Sequence, residues 1–201
     1  MNALTRVILI GGTSHVGKST FAQTLANELG WQYLSTDGLS RHPGRPWRPD
    51  DSAVPAHVAQ YFQTKPTEIL LDEVLQHFRH NVWPIAEAII QCRLANEYDA
   101  SLVLEGSAIL PDCVSQSGWD RVKPLWLVSS DDILKQRIME SSDYQTQPFK
   151  TQQAVDGFLH RSLAFNRMLI EALTDSGFDA INIDDFEHTE ELKNILLSSL
   201  K

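Results

Sequence analysis

The chain has little cysteine, a deficit of basic charge and no long hydrophobic run, and each shortage excludes something. Only two cysteines occur in 201 residues, Cys92 and Cys113. Neither has a Cys or His partner at metal-ligand spacing, so a disulfide framework is not expected. A reduced, cytoplasmic setting follows, with both thiols as small core residues. Lys and Arg number 17 against 26 Asp and Glu, a formal net charge of −9. With no dense basic run, neither nucleic acid nor an anionic membrane is an expected partner, since both reward clustered Lys and Arg. The apolar stretches fall well short of a membrane span, and M-N-A-L-T-R leads into too short an apolar run to read as a signal peptide. Internal repeats and low-complexity tracts are also missing. What remains is a chain with 42% hydrophobic residues, able to bury a sizeable core and expected to form one domain over residues 1–201.

One stretch dominates what is present. Val7-Ile8-Leu9-Ile10 reads as a short buried strand, and Gly11-Gly12 ends it abruptly. From Gly12 the spelling is G-x-x-x-x-G-K-S: Gly12, Thr13, Ser14, His15, Val16, Gly17, Lys18 and Ser19, followed by Thr20 and a helical pattern. Glycine at both ends of such a loop lets backbone N–H groups wrap phosphates, and the next helix aims its positive N-terminus at the same anion. Lys18 would reach the terminal phosphates and the Ser19 hydroxyl would ligate Mg²⁺. A strand before and a helix after supply the context the motif requires. The stretch implies a nucleoside triphosphate. No N-K-x-D occurs, which disfavours the GTP-binding branch.

Five strand candidates alternate with helical patterns, predicting an α/β fold with a parallel sheet. They are Leu4 to Ile10, Trp31 to Ser35, Ser101 to Leu104, Val122 to Val128 and Phe178 to Ile183. Ligands of open α/β sheets sit beyond the carboxyl ends of strands, so residues Gly12 to Ser19, Asp37, Glu105 and Ser129-Ser130 are expected in one cleft. Between the second and third strands lies a long insertion, about residues 40–98. It begins R-H-P-G-R-P-W-R-P-D-D, which is no regular helix. A helix is expected from Asp51 to Thr64, capped by Asp50, Asp51 or Ser52, and a longer one from Thr67 to about Glu97, broken or kinked at Pro84. Together they would form a lid or substrate-holding arm. Asp131-Asp132 caps a further helix, residues 140–150 read as a mobile lid loop, and a long helix spans Thr151 to Asp175. A terminal helix from Glu190 to Leu200 has Thr189 as its cap.

Several side chains suit phosphoryl transfer. Asp37 follows a buried strand and could accept a proton from an acceptor hydroxyl, or simply cap a turn. Arg41, Arg45 and Arg48 follow; Arg41 is the favoured grip on an anionic acceptor, against the reading of a solvated loop arginine. Glu105, ending L-V-L-E-G, could hold Mg²⁺ through water or polarise a hydroxyl, or be a strand-end carboxylate fixed by backbone. Gly106 and Ser107 would shape the substrate floor. Arg137 and Arg161 flank the 140–150 loop and would neutralise the transferring phosphoryl group as the lid closes. For Arg137 the competing reading is a helix-surface ion pair. His15 is expected to matter through its backbone, with its ring in solvent; a pH-dependent phosphate contact is the alternative. His57, His77, His80 and Trp83 read as core or helix surface.

On I-G-G-T-S-H-V-G-K-S-T at 10–20, L-S-T-D at 34–37 and L-E-G-S-A-I-L-P at 104–111, the chain resembles small-molecule kinases of the phosphate-loop superfamily. Within that superfamily it looks like the nucleoside-monophosphate-kinase-like branch, and more narrowly it is similar to 2-phosphoglycerate kinases and their uncharacterised relatives. The resemblance implies a three-layer α/β/α P-loop NTPase fold with sheet order 2-3-1-4-5 and a helical insertion. It also implies ATP with Mg²⁺, and transfer of the γ-phosphate to a hydroxyl of a small metabolite. It would place Asp37 and Glu105 near the acceptor and Arg137 at the nucleotide or lid; Arg41 and Gly106 join the expected substrate-binding set on the residue reading alone. The family places a small residue where His15 stands, and an arginine where Ser40 stands. Two other readings share the nucleotide site: a nucleotide-dependent switch working through a protein partner, and a toxin-like nucleotide-sugar kinase.

Overall fold

The computed structural model describes residues 4–41, 43–48, 54–186, 191 and 194. Its centre is β1, Val7–Gly12, whose six residues are all buried. Burying Val7, Ile8, Leu9 and Ile10, at about 1.5–3 kcal/mol each, makes this run a core strand whatever its local propensities. Alternation then divides it between two cores. Val7 and Leu9 pack with one helical layer, and Ile8 and Ile10 with the other.

The other strands are β2 (Gln32–Ser35), β3 (Leu102–Glu105), β4 (Val122–Val128) and β5 (Ala180–Asn182), in the order β2-β3-β1-β4-β5. All pairings are parallel; Ile10 lies beside Glu105 on one side and Leu125 on the other. The helices are α1 (Lys18–Leu29), α2 (Ala56–Thr64), α3 (Thr67–His77), α4 (Trp83–Ala95), α5 (Pro111–Ser115), α6 (Asp131–Ser141) and α7 (Phe149–Ser176). On one face α1 packs through Phe21, Ala22 and Leu25, joined by Leu134 of α6. On the other, α4 contributes Trp83, Ala86 and Ile90, and α7 contributes Phe165, Leu169 and Leu173. The expected three-layer α/β/α fold is what forms. Its sheet order reverses at β1, which opens a crevice beyond that strand's carboxyl end.

The insertion builds a third core of its own. Trp47, Val58, Phe62 and Leu70 bury against Ile138 of α6 and against Ala154, Val155, Phe158 and Leu159 of α7. Contact is so close that a Cβ on Gly157, mid-way along α7, would collide with the Phe62 carbonyl oxygen. Glycine inside a helix costs up to about 1 kcal/mol against alanine, so here backbone proximity outweighs propensity.

Local boundaries differ from the sequence reading where tertiary bonding decides them. The first insertion helix starts at Ala56, with Pro55 at its cap position, not at Asp51; the caps expected at residues 50–52 lie outside the described residues. The expected terminal helix and Thr189 also lie outside them, apart from Glu191 and Asn194, which are helical. The break assigned to Pro84 falls just before it, as a π-helical turn over Phe78–Val82 in which Trp83 N–H bonds the Phe78 carbonyl. Pro84 has no N–H and its ring crowds the preceding turn, so the bonding widens there. The 140–150 segment is not a structureless loop. Helix α6 runs to Ser141, a 3₁₀ turn covers Tyr144–Thr146, and α7 begins at Phe149. Tyr144 Oη donates to Asp156, Gln147 to the Ser142 carbonyl, and Gln152 to the Tyr144 carbonyl. Helix α5 was not foreseen; with Pro111 opening it, the run is too short to show a period.

Candidate active site

Beyond the carboxyl ends of β1, β2 and β3 lies a cavity of about 810 Å³. The 12–19 loop forms one wall. Gly12 and Gly17 have φ of 141° and 95°, values that side chains rarely adopt. Thr13, Ser14, His15, Gly17, Lys18, Ser19 and Thr20 all line the cavity, whereas Gly12 and Val16 support it from behind: Val16 is buried in the α1-side core, and Gly12 faces the Leu127 carbonyl. Thr13 Oγ1 donates to the Ser162 carbonyl at 3.0 Å, tying the loop to α7.

Lys18 is only 8% exposed, and its ammonium donates to the Thr13 carbonyl at 2.8 Å. Burial lowers its pKa from the usual lysine value, while the fields of Glu105 and Asp37 raise it. Glu105 is 2% exposed at the end of β3, and its Oε1 accepts from Ser19 Oγ at 3.2 Å and from Tyr33 Oη at 3.0 Å. Tyr33 escaped the sequence reading because only the β2–β3 pairing brings it to Glu105; its period-two spacing from Ser35 was the available signal. A hydroxyl and a carboxylate oxygen side by side fit a Mg²⁺ ion whose other positions are filled by phosphate and water. Among the described residues no cluster of three His, Cys, Asp or Glu forms an all-protein metal site.

Asp37 lies in a 3₁₀ turn over Thr36–Gly38, its backbone N–H bonded to Ser35 Oγ, and it lines the cavity with Arg41. Arg45 also lines it; Arg48 does not. Gly106 is not substrate floor. Its φ is 150° and a Cβ there would collide with the Thr36 side chain, so it lets the β2 and β3 ends approach; Ser107 reaches the cavity instead. Ser129 and Ser130 are likewise elsewhere. Ser129 Oγ and Ser130 N–H both donate to Asp184, which closes the β5 end onto β4.

His15 differs most from expectation. At φ 65° it turns inward, stacked 5.6 Å from Trp47 and edge-on to Phe158 at 6.0 Å, with Nε2 2.9 Å from Ser141 Oγ. Burial, then Arg45, Lys18 and Arg137, lowers its pKa to about 4, so the ring is neutral at pH 7. Arg137 does not line the cavity; its Nη1 donates to the His15 carbonyl at 3.2 Å, bracing the loop from outside.

Arg161 does line it, from α7. It is 6% exposed, stacked on Phe158 and Phe62 at 4.7 and 5.2 Å, and its buried Nη1 has no hydrogen-bond partner among the described residues. Burial lowers its pKa to about 10, which leaves it charged. Arg167 points away and pairs with Asp131. The insertion completes the wall with Val74, His77, Phe78 and Val82. His57 and His80 are exposed and Trp83 is core. Of the two cysteines expected in the core, Cys92 is exposed, and Cys113 is half-buried and packs against the Trp126 core.

The chain matches no family model and no curated protein sequence. Among solved structures it superposes on a gluconokinase from Sinorhizobium meliloti 1021 with a TM-score of 0.53 at 18% identity, covering 98% of this chain and 92% of that one. A shikimate kinase from Acinetobacter baumannii (TM-score 0.41, 17% identity, 99% and 94% covered) and a dephospho-CoA kinase from Campylobacter jejuni (0.41, 14%, 99% and 99%) superpose too loosely to carry argument. The first superposition and the observed sheet order agree: the chain has the P-loop kinase fold.

Proposed function

We propose that this protein is an ATP-dependent kinase that transfers the γ-phosphoryl group to a hydroxyl of a small anionic metabolite. The observation that carries the reading is convergence. Lys18, the Ser19–Glu105 pair, Asp37 and the buried cation of Arg161 all border one cavity, with Arg41 and Arg45.

The loop's N–H groups and the α1 N-terminus would hold the triphosphate, with Lys18 against its terminal phosphates. Ser19 directly, and Glu105 through water, would hold Mg²⁺, which supplies charge neutralisation for the phosphates when bound. Asp37 orients the acceptor hydroxyl and takes its proton as the oxygen attacks phosphorus. The bond from phosphorus to the β–γ bridging oxygen breaks, and ADP leaves with that electron pair. The aromatic wall around Phe158 and Phe165 limits water, the competing nucleophile.

The insertion lines the cavity through α3 and the π turn, which supports an acceptor site over a protein-directed switch. The motif resemblance makes phosphorylated glycerates the first acceptors to try. The test is ATP consumption with Mg²⁺ against glycerate phosphates, sugar acids, nucleosides and nucleotide-sugars, with Lys18→Ala as control. An acceptor that stimulates turnover in the wild type and not in Lys18→Ala is expected. Slow hydrolysis indifferent to every acceptor would sink the kinase reading.

A further inference from the structure

The nature of the acceptor, on the kinase reading above, is written in the cavity wall away from the phosphate loop. Most residues on that wall are apolar: Leu39, Val74, Phe78, Val82 and Phe165 line it beside His77 and Ser107, with Phe78 and Phe165 edge to face at 6.1 Å. A polyhydroxylated acceptor would lose water from each hydroxyl against such a surface and regain few hydrogen bonds. Apolar carbon loses nothing there.

Arg161 is the buried cation of this wall. A guanidinium only 6% exposed is normally paired, yet this one lies over the faces of Phe62 and Phe158, and its buried Nη1 lacks an acceptor among the described residues. It forms no carboxylate ion pair among the described residues. Nor is it a lid residue that swings in. Gly157 packs on the Phe62 backbone one turn before it, and Ser162 just after it accepts from Thr13 of the phosphate loop. Arg161 is therefore held at a fixed distance from the phosphate loop, with its donors preset for an oxyanion.

We propose that the acceptor is an amphiphile carrying a single anionic group. It would be a compact, mostly apolar body bearing the hydroxyl to be phosphorylated, with one carboxylate or phosphate received by Arg161. The body lies against the Val74, Phe78 and Phe165 surface and the hydroxyl is directed to Asp37. Arg161 is then a specificity-determining residue for the acceptor rather than a clamp on ATP.

The experiment is calorimetric titration of the whole chain, loaded with Mg²⁺ and a non-hydrolysable ATP analogue. The probes are 4-hydroxycyclohexanecarboxylate, its methyl ester, 4-hydroxycyclohexyl phosphate and gluconate. At least one cyclic anion should bind about tenfold or more tighter than both the ester and gluconate, as a charge-assisted pair requires; whichever binds tighter identifies the oxyanion. Arg161→Met should abolish that preference while ATP-analogue affinity holds. Its melting temperature should not fall, because a buried unpaired charge has been removed. Arg161→Lys, which keeps the charge and loses the planar fork, should recover part of the preference.

Equal binding of acid and ester, tighter binding of gluconate, or no binding of any probe would overturn the proposal. So would an Arg161→Met protein that loses ATP-analogue affinity and keeps its preference among the probes. A wild-type chain that binds no ATP analogue overturns the kinase reading itself, and this inference with it.

Discussion

Ser19 Oγ donates to Glu105 Oε1 at 3.2 Å, joining the first turn of α1 to the end of β3. The two residues come from parts of the chain 86 positions apart, and Tyr33 holds the same carboxylate oxygen from β2. The arrangement fixes one anionic oxygen beside the hydroxyl expected to ligate Mg²⁺. Glu105→Gln keeps the shape and removes the charge. It should lower turnover 10–100-fold and raise the Mg²⁺ concentration needed for half-maximal rate, as loss of an outer-shell carboxylate does. Magnesium titration of steady-state transfer checks this. An unchanged magnesium requirement would mean that Glu105 only braces Ser19 and Tyr33.

Asp37 makes the complementary prediction. It lines the cavity, and among the described residues the turn around it uses its backbone N–H alone, which donates to Ser35 Oγ. A turn cap would need its side chain; a proton acceptor needs it uncommitted. Asp37→Asn should therefore leave ATP affinity and melting temperature unchanged while turnover falls about 10²–10⁴-fold, the usual worth of a general base. A variant with full turnover but reduced stability would return Asp37 to the turn.

His15 predicts a pH dependence of stability. Its pKa is near 4 in the fold, below the 6.5 of an unhindered histidine. The unfolded chain therefore binds the extra proton first as pH falls. Stability is fully present above pH 6.5 and drains away between pH 6.5 and 4, by at most about 3 kcal/mol. Burial of His77 adds a smaller loss of the same sign. Between pH 7.5 and 5.5, above the carboxylate range, the wild-type melting temperature should drop measurably. His15→Asn, which tolerates the left-handed backbone and does not titrate, should flatten most of that slope. A slope that survives the substitution would locate the titration elsewhere.

What could be read from the sequence was what depends on near neighbours. The run Val7–Ile10, the loop spelling after it and Gly30 as the end of α1 are local signals. The structure repeats them, Gly30 closing the helix in the left-handed conformation. Asp37 and Glu105 meet at the cavity, as expected from strand ends that converge in any parallel α/β sheet. The failures share a different cause. Nothing near His15 says that Trp47 folds back onto it, so a loop histidine looked solvated. Ser129 and Ser130 fit the strand-end rule and were nonetheless taken by Asp184, 55 positions from Ser129. Arg161 was singled out as a lid arginine. Its burial between Phe62 and Phe158 depends on how the insertion meets α7, which no periodicity encodes. Gly106 was placed near the acceptor because it follows Glu105, yet it serves the contact between two strand ends.

Gly157 tests that packing directly. A helical alanine would gain up to about 1 kcal/mol from propensity alone. Here the added methyl meets the backbone carbonyl of Phe62, which cannot rotate aside as a flexible side chain would. Overpacking of this kind costs about 1–3 kcal/mol and reverses the sign. Gly157→Ala should therefore lower the melting temperature by roughly 2–4 °C for each kcal/mol lost in a chain of this size. The same displacement separates Phe62 from Arg161, so affinity for the acceptor should weaken while ATP affinity, set by the loop and Lys18, holds. Thermal unfolding together with separate titrations of nucleotide and acceptor reads both effects. An alanine variant that is more stable than the wild type would show that α2 stands off α7 in solution, and that the insertion moves as a lid after all.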